Sequence, residues 1–321
     1  MVIFPFKQYK YLVKYLKDLP ESRLGDFSAG RFPNLELFVK VDTSVEDKDC
    51  LILGTIAPPD EQLLAFLLLA HTLKKEGASK VSVILPYLAY ARQDKEKKGE
   101  SLAAACVGAL MRSSYISEII TIDLHSHKAE SLFSIPIYDL SPAKLFAKEI
   151  KKLKLKNPTF VAPDEGAMER TRKVIEEYGG EVEIAFMKKE RTPGGISSIL
   201  YGQVSKNVVV IDDILDTGGT LVECSRVLKS AGAKNIYIFV THGQFSGSSW
   251  KQLFNLNVKK IYCTDSIPTV YSLNLKEIEV ISVGPLLIEY SHHLKKIRKE
   301  IKRVYREAKK VEIAEPEEPL L

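Results

Sequence analysis

One stretch constrains this chain more than any other: VVVIDDILDTGGT, Val208 to Thr220. The β-branched run Val208 to Ile211 reads as a fully buried parallel strand, which stops at two adjacent carboxylates, Asp212 and Asp213. Asp216, Thr217, Gly218, Gly219 and Thr220 then form a short loop. An amphipathic helix pattern (Leu221, Cys224, Val227, Leu228, Ala231) follows, with Thr220 as its expected N-cap. A strand delivering two acids to a sheet edge, then a glycine loop and a helix start, belongs in an open α/β fold with its ligand beyond the strand ends.

Such a loop suits a phosphate. Gly218 and Gly219 let the backbone approach closely, Thr217 and Thr220 offer hydroxyls and amides, and the helix N-terminus supplies partial positive charge. Asp212 and Asp213 are acceptors, so they suit sugar hydroxyls or a magnesium ion. A phosphate beside vicinal hydroxyls describes a ribose 5-phosphate. The competing reading is a tight turn with solvated acids. A Walker loop is excluded, because GxxxxGK[ST] is absent, and no GxGxxG follows a strand.

With 321 residues the chain has length for one large or two ordinary domains. Its net charge of +5 is modest and much of it lies between Lys295 and Lys310, so a general nucleic-acid field is not implied. Cys50, Cys106, Cys224 and Cys263 lie far apart in apolar segments and form no CxxC pair; they read as reduced core residues of a cytoplasmic protein. The N-terminus carries lysines throughout and does not read as a signal peptide, and LLAFLLLA at 63–70 is too short to span a membrane.

Taken in order, the pattern predicts a short helix over 9–16, strands at 35–41 and 50–53, and a long helix that Pro58-Pro59-Asp60 starts and Gly77 ends. A strand at 81–85 empties into PYLAYARQDK. A helix at 102–111 and a strand at 119–123 follow, the latter running into Leu124-His125-Ser126-His127. His125 and His127, two apart on an extended chain, would face the same way. Ser141-Pro142 starts a further helix, and the division between two domains is placed near residue 150. The second half repeats the alternation: strands at 159–162, 182–187, 208–211, 236–240, 261–263 and 280–283, with a glycine-containing loop at 188–196. The chain closes with a basic helix and an acidic tail. Strands alternating with helices argue for parallel sheets with helices on both faces. GASKVSVILP at 77–86 echoes GAKNIYIFVT at 232–241, which suggests two similar α/β domains from one duplicated plan.

The central motif matches the phosphoribosyl-binding signature of type I phosphoribosyltransferases, and PYLAYARQDK resembles the PYxxYARQD signature of ribose-phosphate diphosphokinases, the phosphoribosyl pyrophosphate synthetases. GRFPNLELFVKV, IITIDLHSHKAESLFSIPIYDLS, VAPDEGAMERTR, THGQFSG and TDSIP extend the resemblance from about Arg31 to about Leu287. It implies two similar phosphoribosyltransferase-like domains, each a mainly parallel sheet flanked by helices: an N-terminal ATP-side domain over 1–150 and a ribose 5-phosphate domain over 151–321.

The same resemblance implies site roles. Arg92, Gln93 and Asp94 would bind ATP, with Phe32, Asn34 and Glu36 reaching the adenine of a neighbouring subunit in a homo-oligomer. His125 and Asp164 would face magnesium. Asp212 and Asp213 would hold the ribose hydroxyls, and Asp216 to Thr220 the 5-phosphate. Lys189 and Arg191 would be the catalytic cations of a mobile loop. The implied reaction transfers the β,γ-diphosphoryl group of ATP to the 1-hydroxyl of ribose 5-phosphate, with magnesium as cofactor. Two rivals stand beside it. A type I phosphoribosyltransferase explains the central motif but not PYLAYARQDK. A non-catalytic regulatory homologue draws support from Lys128 to Phe133, where the family commonly has Gln-x-Gln-Gly-Phe-Phe.

Overall fold

The structure is a computed structural model that describes residues 1–17, 19, 22–192, 195–292 and 294, with backbone alone at 191, 192 and 195–197. The basic C-terminal helix and acidic tail expected beyond 294 lie outside the described residues, as do Gly194 and the side chain of Arg191.

The first half is built from β1 (Val2–Pro5), β2 (Arg23–Leu24), β3 (Phe27–Arg31), β4 (Leu37–Val41), β5 (Asp49–Leu53), α1 (Glu61–Lys75), β6 (Lys80–Leu85), α2 (Ala103–Ser113), β7 (Glu118–Ile122), α3 (His127–Phe133) and β8 (Ile137–Leu140). The second half is built from α4 (Ala143–Lys152), β9 (Thr159–Ala162), α5 (Met168–Tyr178), β10 (Glu183–Thr192), β11 (Gly195–Tyr201), β12 (Asn207–Leu215), α6 (Gly219–Ser230), β13 (Asn235–Gly243), β14 (Val258–Thr264) and β15 (Ile278–Ile281). Two sheets result, ordered β2-β1-β5-β6-β7-β8 and β11-β10-β9-β12-β13-β14-β15. All pairs are parallel except β10–β11 and the separate β3–β4 hairpin. Omitting β11, the two orders are the same, and β6 and β13, the echoed segments, take the same place in each. The duplicated α/β plan read from the sequence is therefore the architecture.

Both faces of each sheet are buried, as their near-continuous apolar strands require. In the first sheet, Val2, Phe4, Cys50, Ile52, Val81 and Val83 pack under α1, α2 and α3. On its other face Ile3, Leu51, Ile84 and Ile120 meet Tyr9 and Leu12 of the 3-10 helix Lys7–Tyr15 and Val283, Leu286 and Leu287 from the far end of the chain. In the second sheet α6 covers Val208, Val210 and Ile238, while Phe146 and Ile150 of α4 cover Phe160, Val209 and Phe239. The division near residue 150 falls inside α4, whose apolar face packs on the second sheet.

Several local expectations change. The first helix, 9–16, is a 3-10 helix over Lys7–Tyr15. The glycine-containing loop at 188–196 is largely a hairpin, because β10 runs on to Thr192 and pairs antiparallel with β11, Lys189 opposite Ser198. β12 continues through both aspartates to Leu215. The cap of α6 is Gly218, not Thr220, and it makes no side-chain capping bond. Cys106 is exposed on α2, whereas Cys50, Cys224 and Cys263 are buried as expected.

Candidate active site

The parallel strands of both sheets end toward one cleft, where the two halves touch through side chains. At the end of β12, Asp212 and Asp213 are buried at 7% and 5% exposure, and the Asp213 amide donates to Asp212 Oδ1 at 2.9 Å. Past β7, His125 crosses from the first half to place Nδ1 2.6 Å from Asp213 Oδ2. Past β6, Arg92 Nη1 donates to Asp216 Oδ2 at 3.0 Å. PYLAYARQDK and the glycine-loop motif, 124 positions apart at this contact, thus form one site.

The charges in this cleft are unequal. Burial, reinforced by the adjacent Asp213 charge, pushes the Asp212 carboxyl well above the usual carboxylate range. Burial acts on Asp213 too, but the His125 hydrogen bond and the Arg170 charge outweigh it and hold Asp213 well below that range. Of the two, Asp213 therefore holds its negative charge more readily than Asp212. Asp164, whose charge adds to the upward push on Asp212, also accepts the Ala167 amide at 3.0 Å at the start of α5.

Two residues at the centre were not singled out from the sequence. Arg170 of α5 donates its Nε to both carboxylate oxygens of Asp123, at 2.7 and 2.9 Å. Asp123 also accepts the Thr241 hydroxyl. Burial disfavours the guanidinium charge, but Asp123 and Asp213 more than compensate and raise its pKa. Behind them His242, wholly buried and pushed down by burial, sets Nδ1 2.9 Å from Ser266 Oγ. The only sequence signal for Asp123 was its place as an acid closing a strand. Arg170 carried none, since an arginine on an amphipathic helix ordinarily reads as solvated face.

At the phosphate loop, Gly218 has φ +87°, and a Cβ there would lie 2.8 Å from the Cα and Cβ of Trp250. Nothing lies within 4 Å of a Cβ at Gly219, so that face is open. Thr217, Gly219 and Thr220 are exposed, and α6 has no acid in its first turn. The first amides of α6 therefore point outward with no intrahelical acceptor, an arrangement that binds anions.

Other expected residues stand apart. Gln93 is exposed and accepts the Ser101 hydroxyl at 3.0 Å. Asp94 turns inward at 3% exposure and accepts from Ser126 Oγ, the cap of α3. That cap turns the chain into a helix at His127, so the two histidines diverge: His127 meets Glu169 at 3.4 Å instead of following His125. Phe32, Asn34 and Glu36 lie in the tip of the β3–β4 hairpin, closed by Phe32 N to Glu36 O at 2.9 Å and Glu36 N to Asn34 Oδ1 at 3.2 Å. Lys189 is exposed on β10. Among the described residues, no hydrogen bond or ion pair joins the hairpin tip or Lys189 to the aspartate pair.

Magnesium can be tested against the donor set. Among the described residues no three His, Cys, Asp or Glu side chains form a ready-made cage. The cleft nevertheless fits an ion held mainly by substrate oxygens and water, as magnesium is. His125 is oriented by a carboxylate on Nδ1, which leaves Nε2 to coordinate, and Asp164 and Asp212 offer further carboxylate oxygens in the same cleft.

Comparison with known proteins agrees. Residues 1–114 match the family model for the N-terminal domain of ribose phosphate pyrophosphokinase, and residues 167–303 match that for the phosphoribosyl synthetase-associated domain. The ribose-phosphate pyrophosphokinase of Thermosipho africanus is 32% identical over 296 residues, covering 90% of this chain and 92% of that protein. That of Thermotoga maritima is 31% identical over 305 residues, covering 92% and 95%. The crystal structure of phosphoribosylpyrophosphate synthetase from Mycobacterium smegmatis superimposes with a TM-score of 0.82 at 28% identity, covering 92% of this chain and 98% of that one. With two phosphoribosyltransferase-like domains and relatives matched over nearly their whole length, the chain belongs to the ribose-phosphate pyrophosphokinase family.

Proposed function

We propose that this protein transfers the β,γ-diphosphoryl group of ATP to the 1-hydroxyl of ribose 5-phosphate, releasing AMP, with magnesium as cofactor. The observation that carries the reading is the 2.6 Å contact of His125 with Asp213, which joins the first half's strand ends to the sugar-phosphate loop of the second. A phosphoribosyltransferase needs only the second half and leaves His125 and Arg92 without a task.

In this reading the amides and hydroxyls of 217–220 hold the 5-phosphate, and Asp212 and Asp213 accept from the ribose hydroxyls. Asp216 fixes Arg92, whose remaining guanidinium donors and Gln93 position the ATP phosphates and base. His125 and Asp164 would hold magnesium, which when bound neutralises phosphate charge. Lys189 and Arg191, carried on the β10–β11 hairpin, place positive charge against the transferring group, and alignment rather than covalent chemistry supplies the rate. Phe32, Asn34 and Glu36 serve the ATP site of a neighbouring copy, so the working form is a homo-oligomer. Among the described residues no helix is long and apolar enough to cross a membrane.

The test is AMP and phosphoribosyl pyrophosphate formation by purified protein with ATP, ribose 5-phosphate and magnesium, alongside an Asp212→Ala, Asp213→Ala variant. Equal amounts of both products, lost in the variant, support the proposal. Binding of both substrates without turnover would overturn it in favour of a regulatory homologue.

A further inference from the structure

One acid of the first half has its side chain held by the second. Asp123 stands directly past β7 with its backbone at φ +52°, a left-handed turn that aspartate tolerates better than most side chains. Its amide donates to Leu140 O of its own sheet at 3.1 Å. Its carboxylate, by contrast, accepts Arg170 Nε on both oxygens, at 2.7 and 2.9 Å, and the Thr241 hydroxyl, while His242 Nε2 lies 3.4 Å from its carbonyl oxygen. α5 and β13 thus grip the end of β7. The Arg170 and Asp123 side chains are only 11% and 10% exposed, so the ion pair is largely closed off from water. Stability alone is a poor reason for such a pair, because desolvating two charges offsets much of their attraction.

The neighbours of the pair along the chain say what it positions. Two residues beyond Asp123 comes His125, whose Nδ1 lies 2.6 Å from Asp213 Oδ2. Six residues before Arg170 comes Asp164, whose Oδ1 accepts the Ala167 amide and so fixes the turn into α5. His125 and Asp164 belong to different halves, and none of the hydrogen bonds described above joins them directly. The buried pair bridges them, through the exit of β7 on one side and the first turn of α5 on the other. We infer that Arg170 is a positioning residue: by clasping Asp123 it sets His125 of the first half against Asp164 of the second, so that a divalent cation finds both in place. The inference deepens the diphosphokinase reading and rests on it for the roles of His125 and Asp164. The phosphate loop at 217–220 takes part in none of these contacts, which makes ribose 5-phosphate an internal control.

Two titrations of the full chain test it: ribose 5-phosphate by calorimetry, and Mn2+ by electron paramagnetic resonance with α,β-methylene-ATP, which the proposed reaction cannot cleave. Arg170→Met should weaken Mn2+ binding by about tenfold or more and leave the Kd for ribose 5-phosphate within about threefold. Arg170→Lys, which restores a cation but not the guanidinium's hold on both oxygens, should recover only part of the loss. Asp123→Asn should weaken Mn2+ binding as Arg170→Met does, and the two together no more than either alone, because each removes the same clasp. If Arg170→Met fails to fold, Arg170→Lys and Asp123→Asn carry the comparison. Wild-type Mn2+ affinity in the variants, losses that multiply in the double variant, or equal losses for Mn2+ and ribose 5-phosphate would each overturn the inference, as would a wild-type chain that binds no Mn2+. AMP formation is read separately: a chain whose Mn2+ binding depends on the clasp but which makes no AMP defeats the diphosphokinase reading and leaves the positioning role standing.

Discussion

β5 and β12 hold the same place in the strand order of their sheets, and the helices that follow them begin in opposite ways. After β12, α6 starts at Gly218 with no acid in its first turn, leaving its outward amides and positive dipole end open. After β5, α1 starts behind Pro58-Pro59 at Asp60, with Glu61 in its first turn, so its own acids already answer the dipole. A duplicated plan has thus left one helix start open and set acids at the other. The first half contributes instead through the neighbouring strands, which end in Arg92 and His125.

The sharpest way to break this comparison is to carry the first half's acid into the second. Thr220→Glu should raise the KM for ribose 5-phosphate by about 100-fold through repulsion of the phosphate, while stabilising α6 by about 0.3–1 kcal/mol. Initial rates and thermal melts should therefore move in opposite senses. Next, Gly218→Ala demands a Cβ 2.8 Å from Trp250 at a positive φ. It should lower ribose 5-phosphate affinity roughly tenfold and stability by about 1–3 kcal/mol, readable by titration and chemical denaturation.

A third prediction sets an acid outside the pair, on the exposed part of β8, against the pair itself. Asp139 is exposed as a residue, but partial desolvation of its carboxyl pushes it from 3.8 up to about 6, and its Oδ1 accepts the Leu124 amide at 3.0 Å. A carboxyl whose folded value is raised contributes stability that is complete below the unfolded value and is lost as pH rises through about 6. Asp139→Asn, which keeps the acceptor, should therefore raise stability near pH 7.5, by no more than about 1 kcal/mol once solvent screening of this exposed residue is counted, with the gain vanishing below about pH 4. Melts at the two pH values check it. Smallest of all, Glu61→Gln should change stability by no more than about 0.5 kcal/mol, since its pair with Arg31 is exposed, and should leave the ribose 5-phosphate KM unchanged. A large rise in that KM would mean that α1 has kept a part in anion binding.

What the sequence disclosed was mainly what is local. Strand, acid pair, glycine loop and helix lie within Val208 to Thr220, and each step follows from backbone preference and side-chain pattern. The helix end at Gly77 was legible for the same reason. Less legible were elements that tertiary pairing creates: β3, with its small residues, is held by β4, and β10 is drawn past Met187 by β11. Least legible was the Asp123–Arg170 pair, because its partners stand 47 positions apart on elements of different halves and neither residue type announces the other. The turn at Ser126 misled for a related reason: a capped helix after His125 depends on Asp94 receiving the serine hydroxyl.

The far end of the chain, at Val283, Leu286 and Leu287, lies on the sheet that begins with Ile3. A growing polypeptide therefore has all the strands of its first sheet, but not their full cover, when residue 150 leaves the ribosome. Tyr9 and Leu12 cover part of that face early, but the rest stays open until nearly the whole described chain has been made, which leaves an incomplete first half in need of protection during synthesis. A separately expressed N-terminal half lacks part of its own core, so the two halves are bound to be made together.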